Sequence, residues 1–551
     1  MLDNFPRMRF VSAMDASARL PDRSDATRSA WTPFRHRAFT VLWIATVVSN
    51  VGVWMQSAAA GWLMTTLDPD PFVVSMVQFA ANFPLFLFAL PAGAIADIVD
   101  RRRLLVLTQM AAVVLAGTFG FIVFFGYASA GGLIVFTLLA ATAAALIMPA
   151  WQAIVPQLVP RPLLPSAVAL NSVGLNVSRA LGPALSGIVI AAWGVAAPFW
   201  VNSLTTVGVV AALIWWRSSN EEKTTRLPPE PLFRAISSGL RHARHNVHLR
   251  ATLIRAFAFF IFASAYWAVL PLIARNQVAG GPTLYGLLLA AIGIGAVSAA
   301  FTLPALKQRL GADRLAAAGT LGTALALILF ALARDPVTAL AASLIAGLGW
   351  ITALATINVS AQMALPPWVR GRGLSIYVAV MFGAMSLGSA IWGKAATFTG
   401  VPIACMIAAA GAALSVPILM RWKLQTAAAL DLTPSMHWPE PIVSSEIDSD
   451  RGPVMVTVEY RINPADRTAF LAALAKLADE RRRDGAFDWN VFEDLAQEGR
   501  FVETFLLDSW LQHLRQHERV SHTDRDLQDI VHGFHLDGTP KVTHLIAAQP
   551  R

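Results

Sequence analysis

The chain has 551 residues, of which 56% are hydrophobic and 14% are charged, and its mean hydropathy is +0.55. Soluble domains carry about 25% charged residues, so this composition excludes a soluble globule of this length. A single cysteine, Cys405, also excludes a disulfide framework. Charge divides the chain, because residues 422–551 hold 14 basic and 21 acidic side chains whereas residues 1–421 hold 29 and 13. Basic residues in the apolar part indicate membrane topology before nucleic-acid binding.

Twelve apolar stretches follow a polar N-terminal tail that has no apolar core of the signal-peptide type. Each stretch is long enough to cross a hydrocarbon core of about 30 Å as a helix. The predicted spans are 38–66, 72–98, 103–126, 132–155, 166–191, 195–216, 252–274, 283–305, 314–333, 337–360, 373–396 and 400–420. The sequence therefore predicts an all-α membrane protein with two six-helix halves.

The domain organisation follows from the polar segments between and after these spans. A central loop at 217–250 cannot lie in hydrocarbon, because it would bury too many charges there. The pattern Gln-x-x-x-Pro-x-x-Val occurs at 152–159 and 362–369, each time at the end of the fourth span of a half, which favours an internal repeat. The predicted segments are a tail at 1–33, the first half at 34–216, the central loop at 217–250, the second half at 251–421, a linker at 422–451 and a soluble domain at 452–551.

Basic residues cluster in the loops on one side of the predicted bundle. That side carries nine of them, namely Arg101, Arg102, Arg103, Arg161, Lys307, Arg309, Arg314, Arg370 and Arg372. The other side carries Arg275 and Arg334, with Lys394 near the end of the eleventh span, and an acidic first loop with Asp68 and Asp70. Since basic loops mark the cytoplasmic side, we expect both termini and the central loop in the cytoplasm.

A short motif follows the second span, where the chain reads GAIADIVDRRRLL from Gly93 to Leu105. The preference for basic residues in cytoplasmic loops would by itself also account for three arginines after a span. The segment resembles the signature loop of the major facilitator superfamily, with Gly93, Ile95, Ala96, Asp97, Arg101 and Arg102 in matching places and with departures at Ile98 and Asp100. The resemblance implies that this segment is a gating loop, in which Asp97 and the adjacent arginines form a charge-relay latch between helix ends that helps hold the outward-facing state.

A more specific resemblance covers most of residues 34–421. The stretches PAWQAIVPQLVPRPLLPSAVALNSVGLNVSRALGPALSG (149–187) and GLGWITALATINVSAQMALPPWVRGR (347–372) are similar to the enterobactin-exporter type of drug:proton antiporter, in the transmembrane secretion effector subfamily. The resemblance implies an exporter in the bacterial inner (plasma) membrane. It further implies that a proton or other ion gradient drives transport and that no cofactor is bound.

The fifth span carries two stripes at helical spacing. One is a face of small residues, Ser178, Gly182 and Ser186, along which another helix backbone can approach closely. The other is a polar face formed by Ser172, Asn176, Arg179 and Pro183. An intramembrane charge is costly, so Arg179 should face the transport cavity or bond to carbonyls before Pro183. The family resemblance favours a helix kink at Gly182 and Pro183.

Polar residues within the spans suggest which side chains line the cavity. The predicted cavity residues are Arg179, Asn176, Ser172, Gln56 and Asn358, and further embedded polar residues are Asn50, Asn82, Gln152, Asn171 and Gln362. Apart from Asp97 the spans contain no aspartate, glutamate or histidine. A cationic substrate would need a buried carboxylate, so the sequence predicts a neutral or anionic substrate.

The soluble tail alternates in the order β-α-β-β-α-β from about residue 452, which is the ferredoxin-like pattern. It resembles the small antibiotic-biosynthesis monooxygenase type of domain, which implies pairing through the sheets as a homodimer. His513 and His517 are four residues apart, and His532 and His535 are three apart. Such pairs suit a metal or haem, but solvated helix faces are the favoured interpretation, so no metal site and no catalytic residue is assigned.

The predicted function is secondary active export of a small neutral or anionic molecule, siderophore-like or drug-like, by alternating access. The expected partners are the small-molecule substrate and the lipid bilayer, without nucleic acid. The alternative is a membrane-tethered oxidoreductase whose C-terminal domain is a small monooxygenase. A channel is disfavoured, because nothing in the sequence resembles a selectivity filter or a ring of like charges.

Overall fold

The computed structural model describes residues 31–92, 99–216, 232–366, 368–425 and 451–548, together with residues 433, 435, 438 and 448. Within these ranges, eleven helices are long and apolar enough to cross a membrane. Their lipid-compatible surfaces carry large exposed apolar side chains, such as Phe301 and Leu204. The described chain is therefore mostly helical, as the hydropathy of the sequence predicts.

The first group of helices is formed before residue 216. It comprises α1 (Arg37–Leu67), α2 (Pro71–Phe88), α3 (Arg101–Phe124), α4 (Ala130–Leu158), α5 (Leu164–Trp193) and α6 (Ala197–Trp215). Side chains cap several of the helix starts: Asp70 accepts from the backbone N–H groups of Phe72 and Val73, and Ser129 accepts from Gly132. These caps satisfy N–H groups that a helix start leaves unpaired.

The second group begins with a short amphipathic helix, α7 (Leu232–His245), whose last turn is basic. The long helices that follow are α8 (Val247–Leu272), α9 (Pro282–Leu332), α10 (Pro336–Met363), α11 (Arg370–Thr399) and α12 (Val401–Leu419). A short π-helical turn, Ile273–Gln277, extends α8.

Helix α9 has 51 residues and is interrupted at Gly311, whose φ of 73° is not helical. Gly295 packs against Leu344 of α10, and Gly319 packs against Ala353 of the same helix. If α9 were straight, Gly295 and Gly319 would be about 36 Å apart. Their partners on α10, Leu344 and Ala353, are only about 14 Å apart along that helix. The chain therefore reverses near Gly311, and the predicted spans 283–305 and 314–333 lie on the two arms of α9. Among the described residues the structure has eleven membrane-length helices, and one of them, α9, contains two of the predicted spans.

Helix α5 lies between the two groups of helices. The predicted stripe of small residues packs on α1, because Ser178 donates to the carbonyl oxygen of Val47 at 3.0 Å and Ser186 donates to that of Met55 at 2.8 Å. A Cβ on Gly182 would lie 2.5 Å from the Trp54 Cβ. This close approach of α5 to α1 confirms the prediction from small-residue spacing.

The C-terminal region forms a four-stranded antiparallel sheet in the order β2-β3-β1-β4. Its elements are β1 (Val454–Arg461), α13 (Arg467–Arg483), β2 (Phe487–Glu493), β3 (Arg500–Leu507), α14 (Trp510–Arg519), α15 (His522–His532) and β4 (Lys541–Ile546). Alternate residues of β1, from Val454 to Tyr460, are buried. This element order is the ferredoxin-like one that the sequence predicts.

Candidate functional site

A cavity of about 830 Å³ lies inside the first group of helices, with lining residues from each of α1–α6. Pockets for small molecules usually measure about 300–1,000 Å³, so this one can hold a ligand of drug size. None of the residues that line it in the described structure is ionisable, and its hydrogen-bonding side chains are serine, threonine, asparagine, glutamine and tryptophan. The cavity therefore offers directional hydrogen bonds without a formal charge.

One wall of the cavity is a buried polar network between α1 and α6. Asn202 donates to the Gln56 Oε1 atom at 2.7 Å, and the hydroxyl groups of Ser49 and Thr206 lie 3.1 Å apart. Thr206 also donates to the Asn202 Oδ1 atom at 3.4 Å. All four side chains line the cavity. Replacing a member of this network would leave polar atoms unpaired beside a ligand.

The sequence identified part of this lining. Gln56 and Ser172, two of the predicted transport-cavity residues, lie in the lining of this cavity, and so do Asn50, Gln152 and Asn171. Asn202 and Thr206 were missed, although both are polar and lie four residues apart in the sixth predicted span. That spacing places them on one helix face, which was the available signal.

Two further predicted cavity residues lie elsewhere. Asn176 is exposed on α5 and donates to the backbone oxygen of Ser172 in its own helix at 2.8 Å. Asn358 is half-buried on α10 and does not belong to the lining of the 830 Å³ cavity. Their roles in transport stay predictions.

Arg179 lies on α5 beside α1, with its guanidinium carbon 5.2 Å from the centre of the Trp54 ring. Such a cation–π contact contributes about 0.5–2 kcal/mol, more when water is excluded. Its buried Nε atom has no hydrogen-bond partner among the described residues, and the side chain does not line the cavity. Helix α5 continues through Gly182 and Pro183. A role of Arg179 elsewhere along the transport pathway and hinging at Gly182 and Pro183 therefore stay predictions.

The two groups of helices meet closely at one end of the bundle. We call the end that carries Arg101, Arg161 and Arg370 the basic end, and the end that carries Asp70 and Arg275 the opposite end. At the opposite end, helices α5 and α9 touch through their backbones.

Three glycines show how closely α5 and α9 approach each other. A Cβ on Gly187 would lie 2.7 Å from the Pro282 carbonyl oxygen, and one on Gly286 would lie 2.5 Å from the Pro183 carbonyl oxygen. Nearer the middle, a Cβ on Gly293 would lie 3.0 Å from the Ala180 Cα atom. Distances this short leave no room for a side chain, so the opposite end is closed.

Side chains reinforce the closure at the opposite end. Arg275 donates to the Thr65 Oγ1 atom at 3.0 Å, and its guanidinium carbon lies 6.0 Å from the centre of the Trp62 ring. Thr397 of α11 donates to the Asp70 Oδ1 atom at 3.1 Å. Each of these polar contacts joins the first group of helices to the second.

Toward the basic end, residues of α5 are exposed, among them Ser172 and Asn176. The cavity lining includes Ser172. The described helices therefore enclose a cavity that is approached from the basic end.

Only part of the predicted gating loop lies within the described residues. Gly93 and Asp97 lie outside the described residues. Arg102 donates to the carbonyl oxygens of Leu213 and Ile214 at 2.8 and 2.7 Å, so it caps the end of α6. Asp100 accepts from the Arg103 N–H at 2.7 Å and caps the start of α3. The departure of this loop from the family pattern at Asp100 thus has a structural use.

Asp313 forms an ionic contact at the basic end that was not predicted from the sequence. The Arg255 Nη1 atom donates to its carboxylate, and Arg255 Nη2 donates to its backbone oxygen at 3.2 Å. The same carboxylate accepts from the Leu424 N–H at 3.0 Å. Asp313 therefore ties the start of α8, the bend of α9 and the segment after α12 together.

The C-terminal domain lies against the basic end. The Arg519 guanidinium carbon is 4.3 Å from the centre of the Trp368 ring, between α10 and α11. Helix α13 packs on α7, where His242 is fully buried. Burial lowers the pKa of His242 to about 3, so its imidazole is neutral at physiological pH.

Charged side chains are buried inside the C-terminal domain. Arg483 donates to Asp484 at 3.0 Å and to Asp524 at 2.7 Å. Glu503 is fully buried and accepts from the hydroxyl group of Tyr460 and from the Trp489 indole, each at 2.9 Å. These groups are satisfied by one another, as buried charges require.

Solved structures with the same fold are transporters. A POT family transporter in complex with a thioalcohol-conjugated peptide matches with a TM-score of 0.58 at 13% identity, over 70% of this chain and 96% of that chain. The nucleoside transporter NupG matches with a TM-score of 0.52 at 12% identity, over 70% and 98%. At such identities the likeness concerns the fold alone.

The helices define a multi-pass membrane protein with the fold of these transporters. Within that class, the family model described as transmembrane secretion effector (MFS_3) matches residues 28–551, and the chain belongs to this family. The match includes the C-terminal domain as well as the helices.

Characterised relatives are exporters and transporters of small molecules. The staphyloferrin A transporter of Staphylococcus aureus is 24% identical over 47% of this chain and 65% of its own length. The enterobactin exporter EntS of Citrobacter koseri is 26% identical over 65% and 85%, and the multidrug efflux pump Tap of Mycobacterium bovis is 28% identical over 38% and 51%. The chain thus spans just under two thirds of the first of these relatives and about half of the last.

Proposed function

We propose that this protein exports a small uncharged molecule from the cytoplasm by alternating access, and that the structure represents the state open to the cytoplasm. The observation that carries the proposal is the uncharged cavity, which is approached from the basic end while α5 and α9 touch at the opposite end. A single site that is closed on one side is what alternating access requires.

The cavity chemistry favours a neutral substrate over an anionic one. A charged ligand must exchange its hydration for partners of opposite charge, and the described lining holds none. An anionic substrate remains the alternative, with Arg179 as its counter-charge. The names of the relatives favour a siderophore-like or drug-like cargo. Amide and hydroxyl groups of Asn202, Gln56 and Ser49 would bond to its polar atoms.

We also propose that an ion gradient, in the first place a proton gradient, drives export in the inner membrane. No ionisable side chain lines the described cavity, so the inward-moving proton would be carried outside it, in the first place by Asp97. One charge moving through 100 mV supplies about 2.3 kcal/mol, which is enough for roughly fiftyfold accumulation. Basic loops support a cytoplasmic location for both termini.

Labelling of engineered cysteines tests the direction in which the cavity opens. In a Cys405→Ala background, Ser172→Cys should react with a membrane-impermeant maleimide in inside-out vesicles and not in intact cells. Ser186→Cys is the matched control, because Ser186 lies on the same helix and is fully buried against α1. Reaction of Ser172→Cys in intact cells alone would contradict the proposed orientation.

Efflux of a panel of siderophores, dyes and antibiotics from cells that express the full chain identifies the cargo class. An exported compound should protect Ser172→Cys from labelling, because that position lines the cavity. Preference for cationic dyes, or export without protection, would contradict the proposed site.

A further proposal is that two copies pair through the C-terminal sheets. The outer sheet face carries apolar side chains, with Phe487, Phe492 and Leu545 all more than 40% exposed, beside threonines and the Arg500–Glu459 ion pair. Exposed apolar patches of this kind are typical of protein interfaces. Purified full chain should have the mass of a dimer by light scattering after subtraction of detergent, and Phe492→Glu should give a monomer. A monomeric wild type would overturn this proposal.

A further inference from the structure

Three histidines converge beside the C-terminal sheet. One ring nitrogen from each of His513, His517 and His544 lies within 4.8 Å of the others. The ring centres of His513 and His517 are 4.7 Å apart, and those of His513 and His544 are 4.6 Å apart. Three imidazoles on one tetrahedral zinc ion would have ring centres about 5 Å apart, given Zn–N distances near 2.0–2.1 Å.

The fold brings these residues together from two elements. His513 and His517 are four residues apart on α14, so they share one face of the helix. His544 lies on β4 directly opposite Val456 of β1, which is buried. Directly paired residues point to the same side of a sheet, so His544 points toward the layer of helices.

Burial distinguishes this cluster from a solvated helix face. His513 is 2% exposed, and neither of its ring nitrogens has a hydrogen-bond partner within the described ranges. An unpaired buried polar group is destabilising by about 1–3 kcal/mol. The sequence-based expectation that His513 lies on a solvated face is therefore wrong. The sequence around His513 could not show this burial, because His544, which lies beside it in the fold, is 31 residues further along the chain.

We propose that His513, His517 and His544 bind one divalent late transition-metal ion, with Zn²⁺ as the reference ion. Neutral imidazole is a ligand that zinc, copper, nickel and cobalt all accept. Three protein ligands leave a fourth position for water or an external ligand, which is typical of open zinc sites.

The arginine near the cluster is paired with a carboxylate. The nearby Arg481 guanidinium is balanced by the Glu503 carboxylate, with 3.6 Å between their Nε and Oε1 atoms. Trp438 covers His517, at 5.0 Å between ring centres. His517 and His544 are half-buried, so an ion can reach the site from solvent.

Equilibrium dialysis of the purified full chain against Zn²⁺, followed by elemental analysis, tests the proposal. The protein is purified in detergent with an affinity tag free of histidine. Wild type should retain one equivalent of zinc per chain, and Co²⁺ should give the visible absorption bands of a tetrahedral nitrogen-ligated site. Each of His517→Gln and His544→Gln should weaken binding by more than about 100-fold, because even indirect supports of metal ligands contribute about 10–100-fold.

His522→Gln is the matched control, since His522 is half-buried in the same domain and lies outside the cluster. Its zinc content should equal that of wild type. Circular dichroism and gel filtration of each variant show whether the fold is retained, and the half-buried positions are used because His513→Gln disturbs the core. Wild type without an equivalent of zinc, or folded His517→Gln and His544→Gln with unchanged binding, would overturn the site.

Discussion

The membrane bundle and the C-terminal domain bury different kinds of side chains. Within the bundle, helices meet closely through glycine, serine and neutral amides, as where Ser186 donates to Met55 and Gly187 touches Pro282, whereas the Arg255–Asp313 ion pair lies at its basic end. The C-terminal domain instead buries Arg483 between two carboxylates and Glu503 under a tyrosine.

The difference follows from the solvent around each region. Within a bilayer the helices gain little from burying apolar groups, so close backbone packing and short hydrogen bonds hold them together. Such contacts carry no charge, so the helices can separate without exposing a charge to lipid. A water-soluble domain gains stability from its apolar core and can retain paired charges that fix one arrangement. We therefore expect the bundle to change conformation and the domain to keep its own.

The largest expected effect concerns a buried charge of the domain. Asp524→Asn weakens one of the two carboxylate contacts of Arg483 and should lower the free energy of unfolding by about 1.5–3 kcal/mol, as expected for a buried hydrogen bond between charged groups. Hydrogen exchange of β3 in the full chain measures this loss. The control, Arg461→Ala, breaks an exposed pair with Asp537 and should change stability by about 1 kcal/mol or less. Equal losses in the two variants would show that the buried ion pair contributes no more to stability than the exposed one.

The next effect concerns the closed end of the bundle. Gly187→Leu forces α5 away from Pro282, and overpacking costs about 1–3 kcal/mol, which shifts a two-state equilibrium about 5–150-fold. Export should fall, and a cysteine at Thr65 in the Cys405→Ala background should be labelled faster from outside. Gly208→Leu is the control, because a Cβ at Gly208 has open space around it. Similar loss of export in both variants would show that the contact with Pro282 is not the cause.

A pH dependence should distinguish the domain from the bundle. Burial raises the pKa of Glu480 to about 9, and the neighbouring Asp524 also raises it, whereas Arg483 lowers it. Between the unfolded value of 4.5 and about 9 the folded domain therefore holds a proton that the unfolded chain has lost. Its stability must fall as pH rises through this window.

Glu480→Gln should remove that part of the pH dependence, so the variant should gain stability relative to wild type as pH rises. Hydrogen exchange of α13 at several pH values, after correction for the intrinsic exchange rate, measures it. Glu498→Gln, at an exposed position, is the control and should follow wild type. A difference between Glu480→Gln and wild type that is independent of pH would contradict the assignment.

The smallest effect concerns the polar wall of the cavity. Asn202→Leu removes the hydrogen bond to Gln56 and should raise the KM for export about fivefold, as expected for a loss of roughly 1 kcal/mol. Ser203→Ala is the control, because Ser203 bonds to α3 and lies outside the cavity lining. If both variants raise KM equally, the effect comes from helix packing and not from substrate contact.

The sequence by itself determined the features that depend on neighbours along one helix or strand. Hydropathy located the spans, the four-residue spacing of Ser178, Gly182 and Ser186 predicted the face of α5 that packs on α1, and alternation predicted the order of the C-terminal elements. These patterns are local, because a helix or a strand repeats its faces every few residues.

Only the tertiary structure decided which distant residues meet. It placed Asn202 beside Gln56, Asp313 beside Arg255 and His544 beside His513, each pair at least 31 residues apart in the chain. It also placed the cavity within the first six helices and the closure between α5 and α9. Spacing along one helix shows which face a residue shares but not which other helix covers that face. That choice depends on how backbones approach one another across the whole bundle.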